Sequence, residues 1–317
     1  MRKFTAAVFA VAFAASAALA QSQQAPTLRI VTEDGNRLPA ELMYGNTKVK
    51  PLRLRPGTNI PITIDDSDFF VQQHYVDFLS RFPDQSGFAF WQNDINQCGS
   101  NAQCVEVRRV NVSAAFFLSI EHQRTGFLVF KTHRAAFGNL PGKPVPVRRE
   151  TFMPEMRSIS NGVIVNGEPD WEAKLNANMD AYLQAFVQRS EFTAQFPTSM
   201  NAEQFVDRLY SNAGVSPTAG ERSAAIAAFG SGNTAGRAAA LRSVTAEGST
   251  LHQRLFNEGF VLMQYFGYLK RDPDALPDMN FDGYNHWLGK LNEFNGNFIA
   301  AEMVKAFISS TEYRTRF

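Results

Sequence analysis

From Asp65 onward the apolar positions of this chain fall at helical spacing, and one stripe keeps returning. Phe70 and Val71, then Tyr75, then Phe78 and Leu79 stand at i, i+4 and i+8, which is one face of a helix. Asp65-Asp66-Ser67-Asp68 supplies N-caps ahead of it. Pro83 ends it, because a residue before proline is pushed out of the α region. The stripe comes back as Leu128-Val129 with His133 and Pro141, as Phe205-Val206 with Tyr210 and Pro217, and as Phe260-Val261 with Tyr265 and Pro273. One small helical unit is therefore expected about four times.

The unit is longer than its first helix. Gly87-Phe88-Ala89-Phe90-Trp91 opens a second helix, with Ile95 one turn on, and a third is expected from Val105 to His122. That third helix closes on Ala115-Phe116-Phe117-Leu118-Ser119-Ile120-Glu121, an ending repeated from Ala185-Phe186 to Glu191 and from Ala306-Phe307 to Glu312. The last copy matches the first in order. Phe70, Val71, Tyr75, Leu79, Arg81, Pro83 and Asp84 become Phe260, Val261, Tyr265, Leu269, Arg271, Pro273 and Asp274. After an insertion, Gly87 and Trp91 become Gly283 and Trp287. Arg81 with Asp84, and Arg271 with Asp274, are each expected to form a local ion pair that pins the turn. The inner copies keep mainly the stripe; the third lacks the tryptophan and is rich in Ala, Gly and Ser from Ala213 to Ala240.

The expected fold is thus mainly α: an array of short helices in about four related units, with a small N-terminal β element. Copies 1 and 2 occupy residues 65–192, and copies 3 and 4 occupy 193–317. Residues 138–170, which begin Gly138-Asn139-Leu140-Pro141-Gly142-Lys143-Pro144, are expected to form an irregular loop, with a helix resuming from Trp171 to Phe192. The β element comes from the region 27–64, where the period is two: Leu28 to Thr32, Val49 to Arg55 and Ile60 to Ile64 alternate between turn signals. Lys48, Lys50, Arg53 and Arg55 make a basic face there, read as edge protection before a binding patch.

Residues 1–20 have the form of an export signal: Arg2-Lys3, an apolar run from Phe4 to Ala15, and Ala18-Leu19-Ala20. A polar leader over 21–26 follows, and no later segment is long and apolar enough to suggest a membrane span. An extracytoplasmic location, periplasmic or at the cell surface, is expected. The chain carries a net charge of +1, and loss of the leader with Arg2 and Lys3 moves it slightly to the acidic side. A near-neutral chain has no bulk electrostatic reason to seek nucleic acid or an anionic membrane. In an oxidising compartment the two cysteines, Cys98 and Cys104, are expected to close a short disulfide loop, worth about 2 kcal/mol in the chain-entropy model. Two thiols without nearby histidines make a poor zinc site.

The pattern Phe-Val-x-x-x-Tyr-x-x-x-Leu-x-Arg-x-Pro-Asp-x-x-Gly-x-x-x-Trp, from Phe70 to Trp91, resembles the bacterial family called domain of unknown function 4214. The Ser-x-x-Phe/Tyr ending of that family is echoed in Ser310-Thr311-Glu312-Tyr313. The same pattern is similar to the helical linker domains of cyanobacterial phycobilisomes, which serve assembly. The resemblance covers residues 65–317, strongest at both ends. It implies a helical, exported or surface-associated, non-enzymatic protein and carries over no catalytic residue.

The sharpest candidate for chemistry is Asp278-Met279-Asn280-Phe281-Asp282-Gly283-Tyr284, which reads as the first half of a calcium loop. Asp278, Asn280 and Asp282 would offer side-chain oxygens and Tyr284 a carbonyl, but the acid expected at the last position is Gly289. The alternative is a polar turn and cap before the Trp287 helix. The five histidines show no ligand spacing, and Gly230-Ser231-Gly232 is no nucleophile elbow. The aromatic clusters around Trp91 and Trp287 read as core before they read as a stacking surface. The functional expectation is an exported, non-enzymatic structural or interaction protein, without a cofactor, that binds a polysaccharide, an envelope protein or itself. A calcium-dependent binding module and an envelope-polymer hydrolase are the alternatives.

Overall fold

The computed structural model describes residues 28–32, 39–45, 47–50, 52–165, 167 and 169–317. The expected leader 1–20 and the polar stretch 21–26 lie outside them. Leu28–Thr32 (β1), Pro39–Tyr44 (β2) and Thr47–Val49 (β3) pair as an antiparallel sheet in that order, with Leu42 opposite both Ile30 and Val49. From Ser67 the chain is helical. The first unit holds α1 (Ser67–His74), α2 (Gln85–Asn96) and α3 (Ala102–Leu118), joined by α4 (Ile120–Arg124) to the second. The second holds α5 (Gly126–Phe137), α6 (Arg149–Ser160) and α7 (Trp171–Phe186), joined by α8 (Ser190–Gln195) to the third. The third holds α9 (Ala202–Ala213), α10 (Ala219–Phe229) and α11 (Thr234–Val244). The fourth holds α12 (Thr250–Gln264), α13 (Asp282–Glu293) and α14 (Met303–Ser309), and α15 (Thr311–Arg314) follows it.

The opening helices of the two outer units share a feature that the spacing does not reveal. α1 continues into one wide π turn over Tyr75–Leu79, and α12 does so over Tyr265–Leu269. Each turn ends on a non-glycine residue in the left-handed region, Ser80 (φ 53) and Lys270 (φ 57). The wide turn lets Tyr75, Asp77, Phe78 and Leu79 all face inward, more than an α turn could bury. The two π turns pack on each other. Gly267 is required at that contact, since a Cβ there would come within 1.8 Å of the Phe78 ring.

Three boundaries differ from expectation. The third helix ends at Leu118, because the Ser119 hydroxyl accepts the His122 N–H and caps α4 instead. The helix expected to Phe192 ends at Phe186, and a separate helix, α8, starts after Arg189. Ser119, Arg189 and Ser310 adopt nearly the same extended backbone, φ near −61 and ψ 145, so the unit ends on one extended residue before a short helix. The third difference is α6, which lies inside the stretch expected to be irregular. Phe152, Met153, Met156 and Ile159 fall on one buried face, while Pro154 sits on the exposed side and spends one hydrogen bond. The Ala/Gly/Ser-rich stretch of the third copy folds as α10 and α11, each with a side-chain cap, Thr218 and Asn233. Its small residues permit close approach: a Cβ on Gly236 would meet the Phe229 carbonyl oxygen at 2.0 Å.

The units do not stand in an open row. The second and third pack through α5 with α9 and α7 with α11, while the fourth returns to the first through α14 with α3. The closing seam is ionic and aromatic. Lys305 pairs with Glu106 at 2.7 Å, Arg314 with Asp65, and the Phe69 and Phe317 rings meet edge-on at 5.5 Å. At its centre Asp77 is buried between Arg316, at 2.9 Å, and Lys270, at 3.0 Å. Burial alone would raise this carboxyl, but the two cations overcome it and hold it far below the usual carboxylate range. The Cys98–Cys104 disulfide joins the end of α2 to the start of α3, with the Cα atoms 5.5 Å apart.

Candidate functional site: the arginine turns of the outer units

The most faithfully repeated residues meet at one place in each outer unit. In the first, the Arg81 guanidinium lies over the Tyr75 ring, 4.9 Å from its centroid, and donates two parallel bonds of 3.0 Å to Glu121. Asp84 is its weaker partner, at 3.4 Å. The stronger bond of Asp84 is from the Gly87 N–H, at 2.8 Å, which caps α2. Tyr75 meets Phe116 edge-on at 4.8 Å, and Trp91 stands 6.0 Å from Phe116. A side chain at Gly87 is excluded, since its Cβ would lie 2.2 Å from the Tyr75 hydroxyl. Tyrosine, arginine, glycine and glutamate therefore recur together because each touches another, and the tryptophan recurs against the closing phenylalanine. Burial, helped by the Asp84 charge, pushes the Tyr75 hydroxyl up to about 12. Burial also raises Glu121, against the pull of Arg81.

The fourth unit rebuilds this arrangement. Arg271 lies 5.3 Å from the Tyr265 centroid and binds Glu312, at 3.0 Å for one of the two bonds. Tyr265 meets Phe307 edge-on at 5.3 Å, Trp287 stands 5.9 Å from Phe307, and a Cβ on Gly283 would lie 2.6 Å from the Tyr265 hydroxyl. The expected Arg271–Asp274 pair does not form. The local acid is Asp278, at 2.7 Å, because the insertion after Pro273 brings Asp278 back toward the arginine. Asp274 is released to an arm of the second unit, where it binds Lys143 and Arg148. The same arm donates the Arg149 N–H to Asp272 at 2.9 Å and sets the Lys143 ammonium 5.4 Å from the Phe281 centroid.

The inner units keep less. In the second, His133 replaces the tyrosine, meets Phe186 edge-on at 5.1 Å and donates to Glu155 at 2.8 Å. Glu155 also accepts from Tyr182 and Arg189, each at 2.7 Å. In the third, the Tyr210 hydroxyl has no hydrogen-bond partner among the described residues.

What separates the outer units is their outward surface. Around the first turn lies an open groove of about 650 Å³, walled by Tyr75, Arg81, Asp84, Trp91, Phe116 and Glu121, with Leu118 and Ile120 on its rim and Val165 and Gly167 at one edge. Leu118 and Ile120 are exposed, as are Phe82 beside Arg81 and Phe90, whose ring rests on Trp91; Phe90 leaves 63% of its surface free. The matching positions of the fourth unit carry Ser309, Thr311, Asp272 and His286.

The calcium candidates sit in the same insertion. Asp278 is paired with Arg271, the Asn280 side chain accepts the Asp282 N–H at 2.9 Å, Asp282 opens α13, and Tyr284 is buried with its hydroxyl donating to the Glu258 carbonyl. Among the described residues, no group of three or more His, Cys, Asp or Glu side chains is placed to hold a metal ion. His74 and His122 are core residues, and burial lowers each to about 4. Sequence reasoning missed Glu121 and Glu312 as the main partners of the arginines, although both recur where the closing helix ends. It also missed Lys131, buried in α5. Compared with known proteins, the chain matches no family model, no curated protein and no solved structure.

Proposed function

We propose that this is an exported, non-enzymatic interaction protein of the cell envelope or extracellular space, and that it docks a protein segment in the groove of its first unit. One observation carries the reading: the same arginine turn occurs twice, engaged by an arm of the chain itself in the fourth unit and, among the described residues, bordering an open groove in the first. The arm, from Leu140 to Arg149, is a proline-rich loop of turns and bends, closed by the Leu140 N–H donating to the Val145 carbonyl, that leads into α6. Exposed Phe90, Leu118 and Ile120 offer apolar anchors of the kind that dominate binding energy. The partner is an envelope protein or a second copy of this chain. The leader read in residues 1–20 and the disulfide Cys98–Cys104 support export. The resemblance to exported helical repeat proteins points the same way.

The test compares the mature protein with a Phe90→Ser/Ile120→Ser variant. Binding to the native envelope fraction is followed together with sedimentation velocity of the purified chain. The reading expects binding or self-association by the parent and its loss in the variant. An inert monomer, or binding that survives the double change, would refute it.

A further inference from the structure

A second cavity, remote from both arginine turns, is built around a buried amine. Lys131 lies on α5 of the second unit with 1% of its surface exposed. Its ammonium nitrogen stands 3.3 Å from His252 Nδ1, on α12 of the fourth unit, and 5.0 Å from the Phe127 centroid. No carboxylate forms a salt bridge with it among the described residues. Burial outweighs the attraction of Glu247 and brings the lysine down to about 7, and burial together with Lys131 lowers His252 to about 4. Near neutral pH the pair therefore holds a free amine lone pair beside a neutral imidazole, the arrangement an amine nucleophile needs.

Lys131 lines a cavity of about 180 Å³, whose wall includes Gln123, Arg124, Arg242, Met179 and Glu247. Arg124 and Arg242 are held in place through the shared oxygen of Asn176, at 2.9 and 2.6 Å, and by Glu172 and Asp180 respectively. The Gln123 side-chain oxygen is buried without a partner among the described residues. An amine and two guanidinium groups held around a small cavity suit a small carbonyl compound that also bears a carboxylate, while the unfilled Gln123 oxygen can accept from the carbinolamine hydroxyl.

We infer that Lys131 forms a reversible imine with a small α-oxo acid, with the carboxylate directed at Arg124 and Arg242. The Nζ lone pair adds to the carbonyl carbon and the carbonyl π pair moves to oxygen. His252 carries the two protons of the new ammonium to the oxygen in turn, the first to the alkoxide and the second to the departing hydroxyl. One water leaves, a C=N bond replaces the C=O bond, and nothing is oxidised or reduced. This site is independent of the groove and functions whether or not the groove binds a partner.

The test uses the full mature chain with pyruvate and cyanoborohydride, which fixes an imine as a secondary amine readable by peptide mass spectrometry. At pH 7 Lys131 should be labelled about a hundred-fold faster than exposed Lys305, whose ion pair with Glu106 raises it and keeps it protonated there. Its labelling rate should rise with a midpoint near pH 7. The rate advantage of Lys131 over Lys305 should be smaller with acetaldehyde than with pyruvate, and Arg242→Gln should remove that difference. His252→Phe, which keeps an aromatic ring against Phe127, should slow labelling at least about ten-fold. Labelling of Lys131 no faster than of Lys305 in the parent protein would overturn the inference without reliance on any variant.

Discussion

The first and fourth units have the same skeleton and carry different residues at its matching surface positions. Inward, they agree contact for contact: arginine over tyrosine, arginine to the closing glutamate, tyrosine against the closing phenylalanine, glycine under the tyrosine hydroxyl. Outward, Phe82, Phe90, Leu118 and Ile120 stand where the fourth unit has Asp272, His286, Ser309 and Thr311. The acids at 272 and 274 take up the arm from the second unit, so that turn is spent on holding this molecule together. The first turn has the same geometry without that task. The first unit keeps four large apolar groups in water around the turn itself, whereas the exposed apolar residues of the fourth, Leu276, Met279, Phe294 and Ile299, stand at other positions.

The strongest way to break the shared skeleton is at its seam. Asp77→Asn removes the buried carboxylate that Arg316 and Lys270 share and should cost about 3–5 kcal/mol in chemical denaturation. Loss of less than about 1 kcal/mol would mean that the outer units do not depend on each other as described.

Acid should come next. His74 and His122 are neutral in the fold down to about pH 4, whereas in the unfolded chain they take up protons near 6.5. The unfolded state therefore binds more protons between these values, and stability should fall as pH drops from 6.5 to 4, by roughly 3 kcal/mol per histidine. His122→Phe should flatten part of that slope. Lys131 acts in another window. Its burial is unfavourable below about 7, and stability should recover as pH rises toward its unfolded value, a slope that Lys131→Met should abolish.

The two arginine turns can also be ranked. Glu121 is 4% exposed and Glu312 33%. Glu121→Gln should therefore cost about 2–3 kcal/mol and Glu312→Gln about 1 kcal/mol, because solvent screens the second pair. Equal losses would show that the first turn is no more buried than the fourth. The smallest effect on stability belongs to the surface pair. Phe90→Ser with Ile120→Ser should change unfolding by less than about 0.5 kcal/mol, and any larger loss would mark these residues as core.

The skeleton was legible because helical spacing and repetition reinforce each other. Phe70, Val71 and Tyr75 fall on one stripe, and their return at Phe260, Val261 and Tyr265 separates design from composition. The π turns were hidden because Tyr75 to Leu79 fits an α stripe equally well. α6 was masked by Pro154, whose lost hydrogen bond is offset by a buried face that a turn-residue reading overlooks. Asp274 was misassigned because sequence order was taken for position, while the insertion moved Asp278 into contact with the arginine. The groove could not be read at all. Whether Phe90 or Trp91 faces water is decided by α3 and Phe116, which come from a later helix.

The central claim is that the first turn binds a partner and the fourth does not. A photo-crosslinking amino acid placed at Phe90, and separately at the matching His286, tests it in the mature protein within its native envelope fraction. The account predicts a discrete crosslinked product from position 90, lost when Ile120→Ser is added, and none from position 286. Equal products from both positions, or a product from position 286 alone, would contradict it.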